Sequence, residues 1–232
     1  MIGSDFEAVI FDLDDTLYPE REYVISGFKA TSFLIEQRFG FEQAYVLERL
    51  IEMFDAGVRG RNFDLFLDEQ GVTFAPEQIL DLILAYRKHE PDIALPKISE
   101  KVLHKLKGRF KLGLLTDGYL ETQQRKVIKL GLDKIISVIV YSDEWGREFW
   151  KPNRKAFEEA SRLLGIEPSK CIYIADNPEK DFKGAKECGM SCIQLQHWVD
   201  RSNDTLESEF QADMVVESLE ILSTRICELA QQ

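Results

Sequence analysis

Apolar positions change their spacing along this chain, and the changes mark its elements. Residues 7–13 are an apolar run with almost no alternation. A parallel strand covered on both faces has that pattern. From Pro19 to about residue 90 no strand-like run appears. Val24, Phe28, Ile35 and Phe39 recur at helical spacing, and Gly40 stops that helix. Ala44, Leu47, Leu50, Ile51 and Phe54 line a second amphipathic helix, and residues 63–67 suit a short third one. After Pro76, Ile79, Leu82, Ile83 and Tyr86 match i, i+3, i+4, i+7. The stretch between Pro19 and Pro96 therefore reads as all-helical.

Beyond Pro96 helices and strands alternate. Helices are expected at 98–107, 119–130, 154–164 and 178–188, and strands at 110–116, 135–141, 171–175 and 191–195. A short strand at 214–216 and a helix through Leu219, Leu222, Ile226 and Leu229 finish the chain. Residues 197–210 are polar and read as a surface loop. Such alternation builds βαβ units and a parallel sheet. The expected fold class is α/β: a Rossmann-like parallel-sheet core from residues 1–17 and 96–232, with an inserted all-helical domain at 18–95. Ligands of open parallel sheets bind at the carboxyl ends of the strands, so those ends matter most.

Composition narrows the function classes. The 232 residues are 44% hydrophobic and 30% charged, a globular balance. The net charge of -12 argues against a nucleic-acid backbone or an anionic membrane as partner. Four cysteines form no CxxC pair and read as reduced thiols. The N-terminus lacks a basic segment followed by a long apolar one, so a cytoplasmic location is expected. His89, His104 and His197 stand near no strand-end nucleophile and read as surface residues. There is no Walker A loop, no GxGxxG and no HExxH. An EF-hand loop starting at Asp12 would put Leu17 where glycine is needed.

The first strand breaks into Asp12, Asp14 and Asp15. Side chains at i and i+2 of an extended chain share a side, so Asp12 and Asp14 are expected to point the same way. Close carboxylates repel unless a cation or proton separates them. The pair suits either half a metal site or a nucleophile with an acid beside it. The second strand ends in Thr116-Asp117-Gly118 before a helix, where a hydroxyl and backbone N–H groups could hold a phosphate. Lys151-Pro152 precedes another helix, and a cation at that end of the dipole is better explained by an anion it faces. The strand at 171–175 stops in Asp176. Asn177 with Pro178 can cap the next helix, which leaves Asp176 free for a metal. Asp181 follows in the first turn.

Taken in order, Asp-x-Asp-x-Thr, then Thr, then Lys-Pro, then Asp with a second Asp five positions on resembles the haloacid dehalogenase-like (HAD) superfamily. The likeness covers the whole α/β portion. The helical block between the first and second features looks like a type 1 cap. The resemblance implies a Mg2+-dependent phosphatase acting on a small phosphorylated metabolite, as a monomer or homodimer. Asp12 would be the nucleophile that forms an aspartyl-phosphate, and Asp14 the acid and base. Mg2+ would be held by Asp12, Asp14 through its backbone carbonyl, and Asp176, with Asp181 and Asn177 in the layer around it. Thr116, Asp117, Gly118 and Lys151 would bind the phosphoryl group. Arg59, Arg61 and Tyr23 of the cap are candidates for choosing the substrate. The presence of Asp14 separates this branch from the dehalogenases. A phosphomutase or other phosphotransferase would share these residues and differ in the cap. A binding protein that keeps the fold without turnover is the alternative from another class.

Overall fold

The computed structural model describes residues 2–199, 201 and 207–231. The chain divides into two compact units, Glu20–Ile93 and Met1–Pro19 with Ala94–Gln232. The first is helical: α1 (Glu20–Phe39), α2 (Gln43–Asp55), α3 (Asn62–Glu69) and α4 (Pro76–Lys88). Val24, Phe28 and Ile35 of α1 form its core with Val46, Leu50, Phe66 and Leu82. In α2 the buried stripe is Val46, Leu50 and Met53, while Ala44 is exposed. The stripe runs slightly off the expected one because α2 also packs on α3. His89 corrects another expectation. It lies 5.0 Å from the Tyr23 ring, and its Nε2 is 2.9 Å from the Ser26 hydroxyl. The half-buried ring belongs to an aromatic cluster with Tyr86, not to the surface.

The second unit is a Rossmann-like α/β domain. Its strands are β1 (Ala8–Phe11), β2 (Lys111–Thr116), β3 (Val138–Tyr141), β4 (Cys171–Ala175), β5 (Ser191–Leu195) and β6 (Met214–Val216). All pairings are parallel, in the order β3-β2-β1-β4-β5-β6. The helices are α5 (Lys97–Lys107), α6 (Leu120–Lys129), α7 (Lys155–Leu164), α8 (Pro178–Glu187) and α9 (Leu219–Leu229). Ala8 and Ile10 pack with Phe157 and Ala160 of α7 and Phe182 of α8. Successive strand residues face opposite ways, so Val9 and Phe11 meet the other side, and all four are fully buried. That two-sided burial explains the unbroken apolar run of β1.

The strand expected at 135–141 is shorter. Leu132–Lys134 is a 3-10 turn, and the Ile135 and Ile136 N–H groups donate to the Leu132 carbonyl. Those bonds turn the chain before it can join the sheet. The polar stretch 197–210 lies partly outside the described residues.

Candidate active site

Strand register brings the chemistry to one place. Phe11 of β1 pairs with Leu114 of β2 and Ile174 of β4. The Asp12 N–H continues the ladder to the Ile174 carbonyl at 2.8 Å. Asp12, Thr116 and Asp176 therefore leave three adjacent strands at the same edge.

Lys151 joins this group from the segment before α7. Its ammonium donates to Asp12 Oδ1 at 2.5 Å, Asp181 Oδ1 at 2.6 Å and the Tyr173 hydroxyl at 3.0 Å. Three donors meet three acceptors, so the side chain is fully satisfied. Burial works against the lysine charge, but Asp12 and Asp181 outweigh it and raise the pKa well above the ordinary value. The Lys151 backbone N–H donates to Asp117 Oδ1 and Oδ2 at 3.2 and 3.1 Å. Asp117 also accepts the Ser142 hydroxyl at 2.6 Å. Its carboxylate thus ties together the loops after β2 and β3 and the lysine segment. Gly118 beside it has φ 120°, a conformation that favours glycine.

Asp14 is held by a separate set. Lys126 of α6 donates to both its oxygens, at 2.7 and 2.9 Å. Tyr18 donates to Oδ1 at 2.5 Å, and Gln123 to Oδ2 at 2.9 Å. Gln123 Nε2 also reaches the Thr116 hydroxyl at 2.6 Å. Burial would raise the Asp14 pKa, but Lys126, Tyr18 and Gln123 hold it below the ordinary carboxylate value. Asp15 takes a left-handed φ of 56°, and its N–H donates to the Tyr18 carbonyl, which curls the loop so that Tyr18 meets Asp14. Thr16 donates a long bond of 3.4 Å to Asp12 Oδ2.

Beyond β4, Asn177 caps α8 by accepting the Glu179 N–H at 3.1 Å. Asp181 accepts the Asn177 N–H at 3.1 Å in addition to Lys151. Asp176 carries an ion pair from Arg201 at 2.8 Å. Burial pushes the Asp12 pKa up to about 7; Lys151 lowers it, and Asp181 and Asp176 add to it. Burial and then Asp181 push Asp176 up to about 6, against Arg201.

Two buried acids that resist ionising side by side, with hard oxygen donors, suit a divalent cation such as Mg2+. Its holders would be Asp12, Asp176 and the Asp14 main-chain carbonyl. Among the described residues, no three His, Cys, Asp or Glu side chains group as a metal site. The expected set needs just two side chains, because the Asp14 carboxylate is engaged by Lys126, Tyr18 and Gln123.

The other named candidates lie in the helical unit, each engaged there. Arg59 donates to the Phe54 and Val58 carbonyls and stacks 3.6 Å over the Phe54 ring. Arg61 pairs with Asp64 at 3.4 Å. Tyr23 is buried, its hydroxyl 3.4 Å from the Tyr86 carbonyl. These contacts suit cap packing.

Sequence reasoning missed Gln123, Lys126, Tyr18, Tyr173 and Arg201. One signal was present for two of them. The buried face of α6 consists of Thr122, Gln123, Lys126 and Val127, polar where a packing helix would be apolar. Tyr173 gave no signal, because a tyrosine in a central strand looks like core.

The model of the haloacid dehalogenase-like hydrolases matches residues 6–189. A glyceraldehyde 3-phosphate phosphatase of Methanopyrus kandleri is 31% identical over 231 residues, covering 93% of this chain and 97% of that protein. A phosphoserine phosphatase of Thermus thermophilus is 31% identical over 162 residues, covering 69% of this chain and 62% of that protein. A HAD family hydrolase structure from Deinococcus radiodurans, with bound phosphate and sodium, aligns with a TM-score of 0.67 at 19% identity, covering 97% of each chain. Among the described residues, no helix is long and apolar enough to cross a membrane.

Proposed function

The chain belongs to the haloacid dehalogenase-like hydrolases, on their phosphatase branch, and we propose that it hydrolyses small phosphomonoesters with Mg2+ through an aspartyl-phosphate on Asp12. One observation carries the reading. Asp12 has a buried cation on one oxygen, while Asp14, two residues on, is held by other partners. Two neighbouring acids in different surroundings suit different roles.

A carboxylate approaching a phosphate dianion meets like charge. At ~4 Å and an effective dielectric of ~20, each unit pair costs about 4 kcal/mol. Lys151 offsets part of this, being charged and 2.5 Å from Asp12. A bound Mg2+ would supply the rest as a Lewis acid on phosphoryl oxygens. Asp12 Oδ2 attacks phosphorus, the bond from phosphorus to the leaving oxygen breaks, and Asp14, held below the ordinary carboxylate value in the free protein, gives that oxygen a proton that it takes up as the ester binds. Water then attacks phosphorus, its proton passes to Asp14, and inorganic phosphate leaves with Asp12 restored. Thr116 and the backbone beside Asp117 and Gly118 cradle the phosphoryl oxygens. The cap residues Arg59, Arg61 and Tyr23 are proposed to act on substrate choice.

The substrates named for the two relatives are both three-carbon phosphomonoesters, so three-carbon esters lead the candidates. Four unpaired thiols suit the reducing cytoplasm. The test is a panel of phosphate esters, an aryl phosphate included, assayed with Mg2+ and with EDTA. Turnover is expected with Mg2+ and not with EDTA. Asp12→Asn should lower kcat by about 10⁴-fold or more. Turnover in EDTA, or full activity of Asp12→Asn, would refute the mechanism.

A further inference from the structure

We propose that Arg201 is a resident counter-ion that competes with Mg2+ for Asp176 and so sets how tightly the site takes its metal. This rests on Asp176 being a metal ligand of the proposed reaction. The Arg201 Nε donates to Asp176 Oδ2 at 2.8 Å, and a terminal nitrogen of the same guanidinium lies 3.5 Å from Asp15 Oδ2. One cation thus spans the end of β4 and the loop after β1. Its main chain is held as well. The Arg201 carbonyl accepts from Gln194 Nε2 at 2.7 Å and from Gln196 Nε2 at 3.2 Å. Gln194 also donates to the Asp176 carbonyl at 3.3 Å. It lies fully buried in β5, the strand beside β4. A buried amide is costly unless bonded, so packing alone would favour an apolar residue at 194. Two glutamines therefore anchor the arginine beside the acid.

The two partners differ in exposure. The Asp176 side chain is 3% exposed and that of Arg201 39%. The acid is fixed, while the guanidinium can withdraw to solvent. A divalent cation on the same carboxylate sets like charge beside the guanidinium, and like charges so close repel strongly in a partly buried site. Seating of one cation therefore opposes seating of the other. Apparent affinity falls by the fraction of protein in the binding-competent form, so an Arg201 seated about nine-tenths of the time weakens Mg2+ binding about tenfold. An arginine that merely oriented Asp176 for the metal would act the opposite way, because losing such support weakens metal binding.

The test measures Mg2+ binding by isothermal titration calorimetry without substrate, and thermal melting in EDTA and in saturating Mg2+. Arg201→Gln should bind Mg2+ about tenfold more tightly than the unaltered protein. In EDTA it should melt lower, because Asp176 has lost its counter-charge. In saturating Mg2+ the two proteins should melt together, since the stability lost without metal returns as tighter binding. Asp176→Asn should weaken Mg2+ binding, and Arg201→Gln added to it should bring no tightening. If Arg201→Gln does not fold, as judged by melting, Gln196→Ala, which loosens the arginine's anchor, takes its place with a smaller tightening expected. Unchanged or weaker Mg2+ binding in these variants, with Asp176→Asn still weakening it, overturns the competition and leaves the metal site standing. Asp176→Asn that binds Mg2+ as tightly as the unaltered protein removes Asp176 as a ligand, and the competition with it.

Discussion

The ammonium of Lys151 lies 2.6 Å from the Asp181 carboxylate, and neither side chain is exposed to solvent. Asp12 shares the same ammonium, and its side chain is 3% exposed. One cation thus serves two buried acids. Removing it would leave both without their bonded counter-charge, with just Lys180 acting on them from farther off, and breaking such a buried pair typically costs about 3–5 kcal/mol. Lys151→Met should lose turnover and about that much stability, read by urea denaturation at pH 8. The loss should shrink at pH 5, where the orphaned acids can take up protons. Equal losses at both pH values would count against this account.

Metal-free protein should be less stable at pH 8 than at pH 5. The folded-state pKa of Asp12 is raised to about 7 and that of Asp176 to about 6, from 3.8. Raised groups bind protons more tightly when folded. Their contribution is full below the unfolded value and disappears as pH rises through about 6 and then about 7. Asp14 works the other way. Its pKa is lowered, so its contribution is present above the ordinary carboxylate range and lost as pH falls through its folded value.

Mg2+ should reverse the first trend. At a hundred times its Kd it adds about 2.7 kcal/mol to the folded state. Protons compete for the same carboxylates, so the rise in Tm on adding Mg2+ should be larger at pH 8 than at pH 5.5. Differential scanning fluorimetry in EDTA and in Mg2+ checks both statements. A Tm shift that does not depend on pH would exclude Asp12 and Asp176 as its source.

Gly184→Ala should damage the site from outside it. A Cβ there would collide with the Pro152 carbonyl oxygen and approach the Phe157 ring to 2.8 Å. Backbone cannot yield as a flexible side-chain tip can. Overpacking of this kind costs about 1–3 kcal/mol, and it bears on the residue that follows Lys151. Both Tm and kcat should fall. A variant with unchanged kcat would mean that strain at Pro152 does not reach the Lys151 ammonium.

The alternation that predicted a parallel sheet was readable because each element announces its own period. The strands at Cys171–Ala175, Ser191–Leu195 and Met214–Val216 stand where the apolar runs put them. The start of β3 was less legible, since Ile135 and Ile136 look like strand residues. Turn bonds to Leu132 decide otherwise. His89 was misread for a similar reason: a lone histidine in a polar stretch shows nothing of the rings around it.

The sequence by itself determined the order of elements, the helical insertion, and which residues stand at the strand ends. Local spacing and residue type carry that information, and Asp12, Thr116 and Asp176 could be named from it. Only the tertiary structure decided who holds whom. Lys151 is 139 positions from Asp12, and Lys126 is 112 from Asp14. Pairings at such separations leave no period in the chain. They arise when β1, β2 and β4 align in register and α6 lays a polar face beside their ends. The tertiary structure thus gave Asp14 its own lysine, which no spacing along the chain could have revealed.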